Sequence, residues 1–287
     1  MTDDHSAHVT VGPDTPPLLP DHAIARGHSH PGQHRLVFVA GLHRSGTSIL
    51  FKLLSRHPMV SGFRNTGVPE DEGQHLQGVY PPARDFGGGG RFGFRPEAHM
   101  TEVASSEAAL KAEALFDQWS RYWDLDKPVL IEKSPPNLIR MRYLQSLFPQ
   151  ACFVVLTRHP VEVVLAQRKR SRMQPLHSLF HHWLTCHDLM EADLPSVETV
   201  CHVRYEEFLG APQQTLDRVL RFMGVPPASE VSGDAVNPEA SDRYRREWQK
   251  MTATLPWSPY TRLIIARFER RMNHFGYSLR DLADPGT

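Results

Sequence analysis

The stretch VFVAGLHRSGTSIL, at Val37–Leu50, restricts this chain more than any other. Leu36–Ala40 is a continuous apolar run of the kind buried on both faces in a parallel sheet. Ser48–Arg56 then reads as a helix with Ile49, Leu50, Leu53 and Leu54 on one face. A glycine-containing turn between a buried strand and a helix aims backbone N–H groups at an anion. From Gly41 the spacing is G-x-x-x-x-G-T-S, the frame of a phosphate-binding loop, with Thr47 where that motif has its lysine. The cation inside the loop is Arg44, whose planar fork matches a tetrahedral oxyanion. With no evident magnesium carboxylate, such a site suits a transferable group less charged than a γ-phosphate, and a sulfuryl group fits.

The rest of the chain alternates strand and helix. Pro128–Lys133 (PVLIEK), Ala151–Arg158 (ACFVVLTR) and part of Thr199–Phe208 (TVCHVRYEEF) read as strands. Helices are expected at Glu107–Trp123, at Leu138–Leu147, from Pro160 onward, at Pro212–Met223 and at Tyr260–Phe275. This order implies an α/β fold: a three-layer parallel sheet flanked by helices. The length of 287 residues suits a flexible N-terminal arm, 1–34, and a single domain, 35–287, with an acceptor-site insertion at about 63–123. The arm is rich in Pro, His, Asp and Gly, and its histidines lack a metal-site spacing, so it reads as a solvated tail. The Gly/Pro-rich stretch Phe63–Pro96, with RDFGGGGRFGF inside it, reads as a binding loop or a lid.

Lys+Arg and Asp+Glu balance at 32 each, so no nucleic-acid partner is expected, although QRKRSR (Gln167–Arg172) and DRYRREWQK (Asp242–Lys250) are locally basic. Cys152, Cys186 and Cys201 are widely spaced with no CxxC, which suits a reducing compartment. No window approaches ~20 uninterrupted apolar residues, so no membrane span is expected. The N-terminal MTDDHSAHVT lacks the basic-then-apolar profile of a signal peptide, and a cytoplasmic protein is expected. Oligomeric state is left open.

A second clue is FVVLTRHPVEVVLAQRKR (Phe153–Arg170). Its strand ends at Thr157–Arg158, where ligands bind in such sheets. Four segments in order then resemble the sulfotransferases that use 3′-phosphoadenosine 5′-phosphosulfate (PAPS). GLHRSGTS resembles the 5′-phosphosulfate loop. EKSPPN (Glu132–Asn137) resembles the family's short lysine segment. VVLTRHP resembles the 3′-phosphate strand and turn, and VRYEEF (Val203–Phe208) the adenosine-side Tyr-Glu motif. The resemblance covers about Leu36–Val225. It implies a P-loop nucleoside triphosphate hydrolase-like sulfotransferase fold, PAPS as co-substrate, no metal, and a hydroxylated acceptor.

Carried over residue by residue, the resemblance assigns the 5′ phosphosulfate to the loop residues Gly41, His43, Arg44, Ser45, Gly46, Thr47 and Ser48. The backbone N–H groups of Ser45 to Ser48 and the Thr47 and Ser48 hydroxyls would hold it. Arg44 is the catalytic cation, Lys133 approaches the reacting group, Arg158 binds the 3′-phosphate and Tyr205 contacts the adenosine side. One departure is Ala166, which stands where the family commonly has a serine eight residues after the arginine. Arg168, Arg170 or the Arg243–Arg246 cluster could compensate, or could simply form a solvated helix face.

Cytosolic small-molecule members use a histidine base two residues after the lysine, and here that position is Pro135. Carbohydrate and tyrosylprotein members use a glutamate downstream of the first loop and helix. In VPEDEGQHLQ (Val68–Gln77), Glu72 fits that pattern best, Glu70 second and His75 third. Repulsion among three adjacent acids would raise at least one of their pKa values. Trp119, Tyr122 and Trp123 could stack on a sugar or aryl ring, but their helical spacing favours the core. Two other readings remain: a P-loop kinase or nucleoside triphosphatase, opposed by Thr47, and a non-catalytic sensor of 3′-phosphoadenosine 5′-phosphate (PAP), opposed by Arg44, Lys133 and the acidic cluster. The acceptor is open among glycan, lipid, peptide and secondary metabolite, and the glutamate pattern leans toward carbohydrate-like or peptidyl hydroxyls.

Overall fold

The structure, a computed structural model, describes residues 31–227 and 239–282. Its centre is a five-stranded sheet of β1 (Arg35–Ala40), β2 (Val60–Gly62), β3 (Val129–Lys133), β4 (Cys152–Thr157) and β5 (Val200–Arg204), in the order β2-β3-β1-β4-β5. Every pairing is parallel. The flanking helices are α1 (Thr47–Leu54), α2 (Ser105–Ser120), α3 (Met141–Leu147), α4 (Pro160–Arg170), α5 (Leu176–Asp193), α6 (Tyr205–Gly210), α7 (Pro212–Phe222), α8 (Glu239–Ala253) and α9 (Ser258–His274). The α/β parallel architecture expected from the sequence is the one observed. The near-continuous apolar strands β1, β3 and β4 are buried along their length, as strands covered on both faces must be.

Four elements depart from the sequence reading. The edge strand β2 was not anticipated, and α5 and α8 were not recognised as helices. The single helix expected at Leu138–Leu147 is split: Pro135–Ile139 form a 3-10 turn, Arg140 leaves helical geometry at φ −136°, and α3 starts at Met141. Of the expected arm, residues 1–30, with most of its histidines, lie outside the described residues. Residues 31–34 are built into the domain: Pro31–Gln33 form a 3-10 turn, and the buried His34 ring sits 3.1 Å from the Lys127 carbonyl.

The glycine-rich stretch after Phe63 does not stand free as a lid. The Gly89 carbonyl accepts hydrogen bonds from Gln167 and Gln174 at 3.0 and 3.1 Å, the Gly93 amide donates to His182, and Phe92 is buried. Trp119 and Trp123 lie in the core, as their spacing favoured, while Tyr122 is exposed.

The parallel register creates the site. Val39 pairs with Lys133 and Ala40 with Val155, so the chain leaves the sheet at Gly41, Ser134 and Arg158 along one edge. Loops distant in sequence therefore converge at the carboxyl ends of β1, β3 and β4.

Candidate active site

The β1–α1 loop turns through two left-handed residues, Arg44 at φ 75° and Gly46 at φ 101°. Gly46 also has a packing reason: a Cβ there would lie 2.5 Å from the Tyr205 ring. The Ser45 amide and hydroxyl both bond the Leu42 carbonyl, at 3.0 and 2.6 Å, so they stabilise the turn. The sequence reading assigns the Ser45 amide to the ligand, whereas in this structure it faces the Leu42 carbonyl. No side chain caps α1, and the first amides of a helix have no acceptor within it. Thr47 is buried and Ser48 half-buried beside them. The Arg44 side chain is exposed and makes no hydrogen bond or ion pair among the described residues. The loop thus presents an uncapped helix N-terminus and an unpartnered guanidinium, a combination suited to an oxyanion.

Lys133, at the end of β3, is fully buried. Its ammonium donates to the Glu70 carbonyl at 3.0 Å and pairs with Glu72 Oε1 at 3.2 Å. Glu72, 6% exposed, also accepts from Gln74 Nε2 at 2.5 Å and lies 3.8 Å from His75 Nε2. The favoured base and the expected catalytic lysine therefore meet. Glu70 and Asp71 hold left-handed backbone at φ 55° and 51°, which turns the acids of the loop apart. The Glu70 carboxylate faces Arg170 at 3.8 Å, while Asp71 accepts from the Thr66 hydroxyl and amide at 2.7 and 2.8 Å. The three acids do not share a site, so the mutual repulsion expected from their adjacency is relieved by separate partners. Burial would raise the Asp71 pKa, but the hydrogen bonds from Thr66 and Asn65 and the Lys133 charge together outweigh it and the net shift is downward.

Beside Lys133 the carboxyl that is pushed up is Glu132, a residue to which the sequence reading gave no role. Burial raises it to about 7 against the hydrogen bonds that favour its charged form. Its Oε1 accepts from the Gly73 amide at 2.9 Å and the Ser134 hydroxyl at 2.5 Å, and its Oε2 from Asn137 at 2.6 Å. A Cβ on Gly73 would lie 2.5 Å from this carboxylate, so the contact requires glycine. The Trp119 indole donates to the Gly73 carbonyl at 3.0 Å. His43 and His75 flank the Lys133–Glu72 pair electrostatically, each with a buried Nδ1 that has no partner among the described residues. Burial lowers the pKa of both rings, favouring neutral imidazoles.

Arg158, at the end of β4, is 7% exposed and fully engaged. It pairs with Glu162 at 2.7 Å, donates to the Arg44 carbonyl at 3.1 Å and the Ser241 hydroxyl at 3.0 Å, and lies 4.1 Å from the Tyr205 ring centre. Glu162 also accepts from Arg245 at 2.9 Å. Burial would raise the Glu162 pKa, but Arg158, Ser241 and Arg245 together bring it down. Glu162 and Ser241 were not assigned roles from the sequence. The i,i+4 spacing of Arg158 and Glu162 across the start of α4 was the available signal. Ala166 is buried on α4, and of the suggested compensating residues Arg245 reaches this cluster directly.

Residues 37–230 match the model of the family described as "Sulfotransferase family". Solved structures with a similar fold include the sulfotransferase domain of the olefin synthase from Synechococcus PCC 7002, at 19% identity and a TM-score of 0.45, covering 83% of this chain and 91% of that one. A sulfotransferase from Alicyclobacillus acidocaldarius matches at 17% identity and a TM-score of 0.45, covering 84% of this chain and 96% of that one. A mouse sulfotransferase solved with PAP matches at 11% identity and a TM-score of 0.42, covering 77% and 66% respectively. No curated protein sequence matches the chain. The family match spans the anion loop, the lysine segment, the Arg158 turn and the Tyr205 segment, and the chain belongs to the sulfotransferase family.

Proposed function

We propose that this chain transfers the sulfuryl group of PAPS to an acceptor hydroxyl, with Glu72 as general base. The observation that carries the reading is the Lys133–Glu72 pair, at 3.2 Å, on the same sheet edge as the uncapped α1 N-terminus and the unpartnered Arg44. The donor set suits an anionic ester: N–H groups, hydroxyls and a guanidinium face the loop.

In this reading the amides of the first turn of α1, with the Thr47 and Ser48 hydroxyls, bind the phosphosulfate. Arg44 stabilises charge on the bridging oxygen as the sulfur–oxygen bond to phosphate breaks. Lys133 uses two of its three donors on Glu70 and Glu72, and directs the third at a sulfuryl oxygen. Glu72 takes the acceptor proton as the acceptor oxygen forms its bond to sulfur in line, and PAP leaves. Arg158 and Arg245, with the Ser241 hydroxyl, form the rim for the 3′-phosphate, and Tyr205 closes the adenosine side. The glutamate base aligns the chain with carbohydrate and tyrosylprotein members rather than with the histidine-base type.

The test combines ligand binding and transfer. PAP is expected to raise the unfolding temperature more than magnesium ATP does, and labelled PAPS is expected to label one class within a panel of glycans, lipids, peptides and phenols, read by mass. Stabilisation by magnesium ATP alone would favour a nucleoside triphosphatase. PAP binding with no labelled product across the panel would favour a sensor.

A further inference from the structure

Two turns put large apolar side chains into solvent. The α4–α5 turn carries Met173, 91% exposed, and the α8–α9 turn carries Leu255, 79% exposed, followed by exposed Pro256 and Trp257. The turns are neighbours. The Arg168 guanidinium lies 4.6 Å from the Trp257 ring centre, and the Tyr260 hydroxyl accepts from the His177 amide at 3.1 Å. Lys169 ties the same corner to α8, 4.5 Å from the Tyr244 ring and 3.5 Å from Glu247.

Cations outnumber acids around these tips, where Glu247 and Glu70 are the acids paired with Lys169 and Arg170. Gln167–Gln174 contains Arg168, Lys169, Arg170 and Arg172 with no Asp or Glu, and Lys250–Arg262 has a cation at each end and no acid between. Arg172 is exposed with no ion pair among the described residues, and Arg246 and Lys250 are exposed on α8. Arg170 reaches Glu70 at 3.8 Å, so this face adjoins the candidate active site. The catalytic reading uses neither Met173 nor Leu255, and a side chain at either tip adds little to the core.

We propose that this face docks on an anionic lipid bilayer. Projecting apolar side chains enter the headgroup boundary, Trp257 lies at the interface, and the surrounding cations meet anionic headgroups. No helix among the described residues is long and apolar enough to cross a membrane, and the contact is peripheral. A nucleic acid would use the cations but leave Met173 and Leu255 in water. An acidic protein partner would be favoured by a recess, whereas these side chains project.

The experiment is co-sedimentation of the full-length chain with vesicles of phosphatidylcholine alone and of phosphatidylcholine mixed with phosphatidylserine. Binding is expected to the mixed vesicles, weakening as salt is added. Arg172→Glu is expected to lower partitioning by at least about fivefold, the worth of one cation at such a surface. Met173→Asp combined with Leu255→Asp is expected to lower it by about tenfold or more. Both positions are solvent-exposed, so the unfolding temperature and PAP binding of these variants stay at wild-type values, and a lost lipid contact is separable from misfolding. Failure of the wild-type chain to bind mixed vesicles overturns the proposal. Equal binding by the Met173→Asp/Leu255→Asp variant overturns it too, as does capture by duplex DNA in preference to lipid.

Discussion

Lys133 Nζ lies 3.2 Å from Glu72 Oε1, and the neighbouring pair on the same two segments is also joined: Glu132 Oε1 accepts from the Gly73 amide at 2.9 Å. Consecutive residues of β3 thus hold consecutive residues of the acidic loop. Side chains alternate across a strand, so the loop is fixed from both sides of β3. Trp119 adds a third hold on Gly73, from the end of α2. The orientation of Glu72 is set by this arrangement and by the two left-handed residues just before it.

The pairing predicts strong coupling. Lys133→Met leaves the Glu72 carboxylate buried without its cation and is expected to cost about 3–5 kcal/mol of stability. Adding Glu72→Gln removes the stranded charge and recovers a large part of that loss. Urea unfolding of the two single variants and the double variant measures the coupling. Simple additivity would mean that the 3.2 Å pair does not form in solution.

Arg44→Ala is expected to lower turnover by about 100–1,000-fold, or roughly 2–4 kcal/mol of barrier, if Arg44 acts as a preorganised oxyanion donor. The side chain is exposed and unpartnered in the folded chain, so the unfolding temperature is expected to hold. Single-turnover transfer from labelled PAPS to the acceptor found by the panel reads the effect. Near-normal turnover would remove Arg44 from the mechanism.

The sequence carried the sheet well because β1, β3 and β4 are short apolar runs and such runs have few alternatives. It carried α5 and α8 poorly, although both have the spacing of buried helices. In α8, Tyr244, Trp248 and Met251 are buried at i, i+4 and i+7, but the arginines between them drew the reading toward a basic cluster. In α5, buried Leu176, Phe180 and Trp183 are interrupted by histidines, two of which, His182 and His187, are themselves buried. The loop motif named Arg44, and the resemblance named Lys133 and Glu72 as candidates; the structure brings the last two together. Glu132 and Ser241 were not legible, since their contacts run across 59 positions to Gly73 and across 83 positions to Arg158, whereas Glu162 carried only its i,i+4 spacing to Arg158. Adjacency in sequence also misled: Glu70, Asp71 and Glu72 looked like one repelling cluster until the backbone turned them to different partners.

Gly46→Ala tests the seating of the loop on Tyr205. The substitution meets two obstacles, a left-handed backbone at φ 101° and an aromatic ring 2.5 Å from the new Cβ. The backbone alone is expected to cost about 1–3 kcal/mol, with the ring contact adding to it. PAP affinity, measured by calorimetry, is expected to fall with stability, because the ring that must move also lies against Arg158. Wild-type affinity in Gly46→Ala would show that the loop is seated differently when the nucleotide is bound.

The buried Glu132 predicts a pH dependence of stability opposite to that of an ordinary surface carboxylate. Its carboxyl is held at about 7 in the folded chain against an ordinary value of 4.5, so the folded state binds that proton more tightly than the unfolded state does. The corresponding stability is fully present below about 4.5, declines as pH rises, and is gone above about 7. Glu132→Gln keeps an acceptor for Gly73 and Ser134 and removes the ionisation. Asn137 can meet the new amide with its Oδ1, which has no partner among the described residues, by turning its own amide over. The difference in stability between Glu132→Gln and wild type is therefore expected to move in favour of the variant across that interval, by a few kcal/mol at most. Unfolding temperatures measured at several pH values for both proteins give the comparison. Curves that run parallel through the interval would place the Glu132 ionisation outside it and mean that the folded chain holds Glu132 as a carboxylate there.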